Sequence, residues 1–195
     1  MTGGREPPPN REALGKDAGR LIIATRDWIE KAVVGLGLCP FAERVYRRGQ
    51  IRFKVSEETS TSGLVKDLVA ELQHLHAADP AVLETTLLIH PHVLGDFDDY
   101  NQFLDDADAT VRALGFEGEL QVASFHPAYR FAESGTDDVA NCTNRSPCQM
   151  LHLLREASVT RAVEHFPGVH EIGSRNEATL NALGHEGWRR LWTHE

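Results

Sequence analysis

The chain lacks any apolar run approaching the roughly 18 residues that a membrane span needs. Its first residues hold no apolar segment of the kind that begins a secretory signal. A cytoplasmic location with no membrane partner is therefore the expectation. Cysteine is scarce, with only Cys39, Cys142 and Cys148 in 195 residues. No CxxC pair occurs, and an odd count at irregular spacing argues against a disulfide framework. Three thiols also cannot complete a four-cysteine zinc site. Positive charge is short: 20 Lys and Arg against 29 Asp and Glu leave a net charge of −9. Such a surface repels a phosphate backbone, and the one basic group of note, Arg44, Arg47 and Arg48, is small. No nucleic-acid partner is expected. HExxH, GxSxG, a Walker phosphate loop and a Gly-rich dinucleotide turn are all missing, so the common hydrolase, kinase and dehydrogenase readings lose their usual support.

What is present fits one α/β domain. The length suits a single core, and a 41% hydrophobic, 25% charged composition is that of a globular chain. Gly3, Gly4 and Pro7-Pro8-Pro9 have little apolar company, so residues 1–15 are expected to form a disordered tail. Residues 16–195 then form the domain. Leu21, Trp28, Ile29, Ala32, Val33 and Leu36 repeat at helical spacing and predict a helix from Asp17 to Leu36. Pro40 suits the first position of a short helix through Arg47, with Cys39 as its N-cap. Ile51 to Val55 alternates apolar and charged residues like a half-covered strand. Leu64, Val65, Leu68, Val69, Leu72 and Leu75 predict a second long helix.

Thr85 to Ile89 reads as a buried strand that ends in His90-Pro91-His92. Asp96 caps a third long helix closed by Gly115. Leu120 to Phe125 reads as a third strand, ending in His126-Pro127. After some twenty residues without a period, Ser146 as N-cap and Pro147 at the next position predict a helix carrying Met150, Leu151, Leu154, Ala157, Val163 and Phe166. Val169 to Ile172 suggests a short edge strand, and Ser174 to Glu177 has capping-box spacing before a last helix. Alternation of this kind predicts a small, mostly parallel sheet of three or four strands covered by helices.

Ligands of open α/β sheets bind beyond the carboxyl ends of the strands. His90 and His126 lie there, and on neighbouring strands their rings would face one cavity. Imidazole can serve as base, acid or metal ligand; it can also simply hydrogen-bond across a strand-to-loop corner. Cys39 at a helix N-terminus suits a nucleophile, a redox switch or a metal ligand, or else a small buried hydrophobe. The loop from His126 to Ser146 is long enough to suggest function. Within it Asp137 and Asp138 offer carboxylates or caps. Asn144, Arg145 and Ser146, at a predicted helix start, would hold a carboxylate or phosphate. His152, Arg155 and Glu156 would share one side of that helix.

The segments Gly37-Leu38-Cys39-Pro40-Phe41-Ala42, Leu88-Ile89-His90-Pro91, Ser124 through Ala132, and Asp137 through Glu156 resemble a bacterial family known as domain of unknown function 1415. Asn176 through Gly184 is similar to its closing pattern. The resemblance covers everything but the tail. It implies a bacterial cytoplasmic protein, and it groups the Cys-Pro segment, both His-Pro corners and the Asn-Arg-Ser stretch in one pattern. Cys142 and Cys148 stand where that pattern has tyrosines, which leaves Cys39 as the cysteine to nominate.

Three functions remain open. The first is an enzyme acting on a small anionic molecule, with catalytic Cys39, His90 and His126 and a substrate held by Asn144, Arg145, Ser146 and Arg155. The second is a mononuclear zinc or iron site using His90, His126 and Asp137 or Asp138. The third is a binding or regulatory module without catalysis.

Overall fold

The computed structural model describes residues 17–166 and 168–192. The tail expected over residues 1–15 lies outside them. Asp17 caps the first helix, α1 (Ala18–Trp28), by accepting from the Gly19 N–H. The coil then widens into a π-helical stretch, Ile29–Val34. Gly35 follows it; a Cβ there would sit 2.4 Å from the Lys31 carbonyl oxygen, so the position takes glycine. Six α-helices run through the described residues: α1, α2 (Ala42–Arg47), α3 (Thr61–Ala77), α4 (Phe97–Ala113), α5 (Glu156–His165) and α6 (Ile172–Arg190). Ser60 caps α3 and Asp96 caps α4 through their side-chain oxygens.

The strands are β1 (Ile51–Val55), β2 (Thr85–Ile89), β3 (Leu120–Phe125) and β4 (Met150–Arg155), in the order β1-β2-β4-β3. β1 pairs parallel with β2, whereas β4 runs antiparallel to both β2 and β3. Three strands thus point the same way and the fourth is inserted between two of them. The sheet is mixed rather than mostly parallel. The physical reason is local: the segment expected to open a helix at Ser146-Pro147 returns as a strand, and helix begins only at Glu156. The edge strand expected near Val169 is instead a 3-10 turn, Val169–Glu171, leading into α6.

Each sheet face carries its own core, as alternation along the strands requires. On one face Phe53, Leu87, Ile89, Met150 and Phe125 meet Leu21 and Trp28 of α1, Ile29 of the π-helical stretch, and Leu180 and Trp188 of α6. On the other, Leu88, Leu120, Leu151 and Leu153 meet Leu64, Leu68, Leu72 and Leu75 of α3 and Tyr100, Phe103 and Ala107 of α4. The carboxyl ends of β1, β2 and β3 and the amino end of β4 therefore share one rim, with the first turns of α3 and α4 beside it.

Candidate functional site

His90 and His126 follow the last residues of β2 and β3, and both are fully buried. They are not on neighbouring strands, because β4 lies between β2 and β3. Tyr100 fills the space between them. It sits in the first turn of α4, with its ring centroid 5.8 Å from that of His90 and 5.0 Å from that of His126. Its hydroxyl donates to the Met150 carbonyl (2.9 Å) and accepts from the Phe125 N–H (3.1 Å). Burial pushes the phenol pKa well above its usual range.

Hydrogen bonding fixes both tautomers. The Ala128 N–H donates to His126 Nδ1 at 3.0 Å. The ring proton must then sit on Nε2, which faces the Leu94 carbonyl at 3.3 Å. His126 is thus a neutral imidazole with both nitrogens engaged. His90 Nδ1 faces the Val93 carbonyl at 3.2 Å, which can only accept. Its proton is therefore on Nδ1, and Nε2 presents a bare lone pair. That atom is buried and has no partner among the described residues. Desolvation, with a smaller contribution from nearby His126, pushes the His90 pKa down to about 4.

The segment between β2 and α4 is held by these rings. The Val93 carbonyl also accepts from Gln149 Nε2 at 3.1 Å. Leu94 has φ +59°, the one positive value on a described residue other than glycine. Such a conformation costs about 1–2 kcal/mol for an L-residue, a strain offset here by side-chain hydrogen bonds to its own and the preceding carbonyl. Ser56, just past β1, is buried beside this rim and donates its N–H to the Ile89 carbonyl.

The long loop from His126 to Gln149 is braced from within. Asn141 is fully buried; its Oδ1 accepts from the Phe131 N–H and Ser134 Oγ, and its Nδ2 donates to the Gly135 carbonyl. Arg145 donates to the Tyr129 and Thr136 carbonyls. Asn144 accepts the His126 N–H on its carbonyl, while its amide approaches the Ser124 carbonyl at 3.4 Å. Ser146 Oγ donates to the Cys148 carbonyl. Across the outside, Arg130 pairs with Asp98, and Phe97, Tyr129 and Phe131 stack edge to face.

These contacts redistribute the residues singled out from the sequence. His90, His126 and Asn144 are brought to one rim. The helix start that was to make Asn144, Arg145 and Ser146 an anion cradle is absent, since the chain there runs into β4, and their side-chain donors go to the chain's own carbonyls. Arg155 lies at the far end of β4, where its guanidinium holds the Leu75 and Ala78 carbonyls at the end of α3 and the Leu83 carbonyl just before β2. Cys39 stands with the α1 and α6 layer. Neighbouring Leu38 packs in that core and gives its carbonyl to Asn176 of α6. Phe41 serves as the N-cap of α2, so Cys39 falls two residues earlier, and burial raises its pKa. Asp138 caps the 3-10 turn Val139–Thr143 by accepting from the Ala140 N–H, and the Asp137 carbonyl faces His185 Nε2. Among the described residues no three His, Cys, Asp or Glu side chains are grouped to hold a metal ion.

Tyr100, Gln149 and Leu94 were not legible as site residues. Tyr100 counts in the sequence as one more apolar position of α4. The other two gain their roles from contacts 50 or more positions away and from a backbone angle.

The fold and rim define an α/β protein with a closed polar layer, two neutral histidines about one tyrosine, at the carboxyl end of three parallel strands. Residues 20–190 match the model of a family described as a protein of unknown function, DUF1415, and the chain belongs to that family. No curated protein and no solved structure matches it.

Proposed function

We propose that the protein is an enzyme acting on a small molecule at this rim, with His90 Nε2 as the proton-accepting atom. The observation behind the reading is that lone pair. A buried polar atom without a partner costs about 1–3 kcal/mol, and such atoms call for an explanation in ligand or catalysis. Nδ1, fixed to Val93, orients the ring, and Tyr100 and Gln149 hold its surroundings. The ring is in its neutral form at pH 7, ready to accept a proton from a substrate O–H or N–H. An anion formed beside it would raise its pKa. Substrate would reach it by displacement of the Pro91 to Gly95 segment, where the strain at Leu94 lowers the cost of opening. Asn144, Arg145 and Arg155 do not enter the proposal, because their side chains serve the fold; neither does Cys39, which belongs to the opposite layer.

The test is a turnover screen on small esters, thioesters, amides and phosphomonoesters, run on wild-type protein and on His90→Asn. Asn retains a donor toward Val93 but offers no lone pair at the position of Nε2. Loss of a positioned base is expected to lower turnover about 10²–10⁴-fold. Activity that survives in His90→Asn, or a panel that gives no turnover with wild-type protein, counts against the proposal.

A further inference from the structure

Among the described residues β1 is an edge strand, with β2 as its one neighbour. The Ser56 N–H donates to Ile89 and the Gln50 carbonyl accepts from Thr85. By the alternation of a parallel ladder, the even residues of β1 face β2, and Ile51, Phe53 and Val55 turn their N–H and C=O groups outward. An unpaired row of this kind is a template for another strand unless something covers it; Ile51 and Phe53 keep part of their surface, and Val55 closes the row at 8% exposure.

Along that edge runs an open trough of about 410 Å³. Ile22 and Arg26 of α1 form one wall, and His74, Val82 and Leu83 form the other, with Ile51, Arg52 and Phe53 between. Val82 is 71% exposed, the most exposed large apolar residue described. None of the residues lining the trough is Asp or Glu, on a chain whose net charge is −9. The Arg26 guanidinium lies 4.4 Å over the Phe53 ring. Arg52 is tied to Glu71 of α3. Lys54, next along β1, has no ion-pair partner among the described residues.

The two faces of the edge ask for different side chains. Ile51, Phe53 and Val55 point to the α1 face, and Arg52 and Lys54 to the α3 face. A strand laid beside β1 would set apolar side chains on the first and acidic side chains on the second. A second copy of this chain fits poorly. β1 against β1 would bring Arg52 and Lys54 onto like charges, which is unfavourable for directly opposed residues, and β3, the other edge, carries no acidic residue. We propose that this edge is a docking site for an extended segment of another protein in which acidic and apolar residues alternate. It would bind by strand addition, with main-chain hydrogen bonds supplying affinity and the alternate side chains supplying selectivity. The inference is independent of His90 and of any catalysis at the rim.

The probe is a fluorescein-labelled peptide of seven residues alternating Val and Glu. A peptide of the same composition with the Val and Glu residues in separate blocks is the control. Anisotropy is expected to show binding of the alternating peptide at least 5-fold tighter than of the control. Lys54→Glu reverses one half-buried charge and is expected to weaken binding at least 5-fold, while a Val and Lys alternating peptide gains affinity for that variant. Bound peptide should slow hydrogen exchange at the amides of Ile51, Phe53 and Val55, leaving the even amides as they were. No binding, equal binding of the control, or binding without protection of those three amides overturns the proposal. So does concentration-dependent dimerisation that protects the same amides without peptide.

Discussion

Acidification should destabilise this protein through His90 in an amount the structure sets. The native ring is held neutral with a pKa of about 4, against 6.5 for a free histidine. Below pH 6.5 the unfolded chain binds a proton that the native protein refuses. Stability is therefore intact above that value and is lost as pH falls toward 4. Linkage over this interval gives about 2 kcal/mol at pH 5 and about 3 kcal/mol below pH 4. His152, also pushed down to about 4 by desolvation, acts in the same direction. Carboxylates contribute as well. The share of His90 is isolated by comparison with His90→Asn, in which every other group is retained. Urea unfolding followed by tryptophan fluorescence at pH 7.5 and pH 5 gives a free-energy difference for each protein. Wild type should lose about 2 kcal/mol more than the variant between the two values. Equal losses, within about 0.5 kcal/mol, would refute the reasoning, because His90 would then titrate as an ordinary solvated histidine.

Other substitutions test the remaining contacts of the rim and of the fold. Tyr100→Phe removes the hydroxyl's hydrogen bonds to the Met150 carbonyl and from the Phe125 N–H. It should cost about 1–3 kcal/mol in urea unfolding, with the ring packing preserved. Asn141→Ala removes the hub of the 131–141 loop. Exchange protection should vanish at Phe131, while the sheet amides keep theirs. Arg155→Met keeps the aliphatic stem but frees three carbonyls near the end of α3. A loss of about 2–4 kcal/mol is expected from charge-assisted bonds of this kind, with any turnover at the distant rim retained in the protein that remains folded.

Much of the fold was legible because local pattern and final environment agree. Ile51–Val55, Thr85–Ile89 and Leu120–Phe125 are strands over the residues their composition indicated. Asp96 caps the helix that follows it. The His-Pro corners were also legible in position, since a strand followed by proline must stop there. What they do was not. The tautomers depend on Ala128, Leu94 and Val93 carbonyl and amide geometry, which no periodicity encodes. The long loop drew attention for its Asn and Arg residues, yet those residues brace it. A loop without regular structure must pair its buried backbone groups somehow, and here Asn141 and Arg145 meet that need.

The misread segment, Met150 to Arg155, is the sharpest case, and it yields its own test. Met, Leu and Arg are good helix formers, and a helical face through Met150, Leu151 and Leu154 looks sound. Burial between β2 and β3 overrides it. A strand places Leu151 and Leu153 on one face, and both are fully buried in the α3 and α4 core. Leu154 turns the other way and keeps part of its surface exposed. The two readings therefore rank the leucines in opposite order. A helix would bury Leu151 and Leu154 and leave Leu153 aside. The strand predicts that Leu153→Ala costs about 2–5 kcal/mol by cavity formation, and that Leu154→Ala costs about 1 kcal/mol or less. Denaturant midpoints of the two variants decide between them. A larger loss for Leu154→Ala would remove β4 from the sheet, and with it the separation of His90 from His126 on which the rim depends.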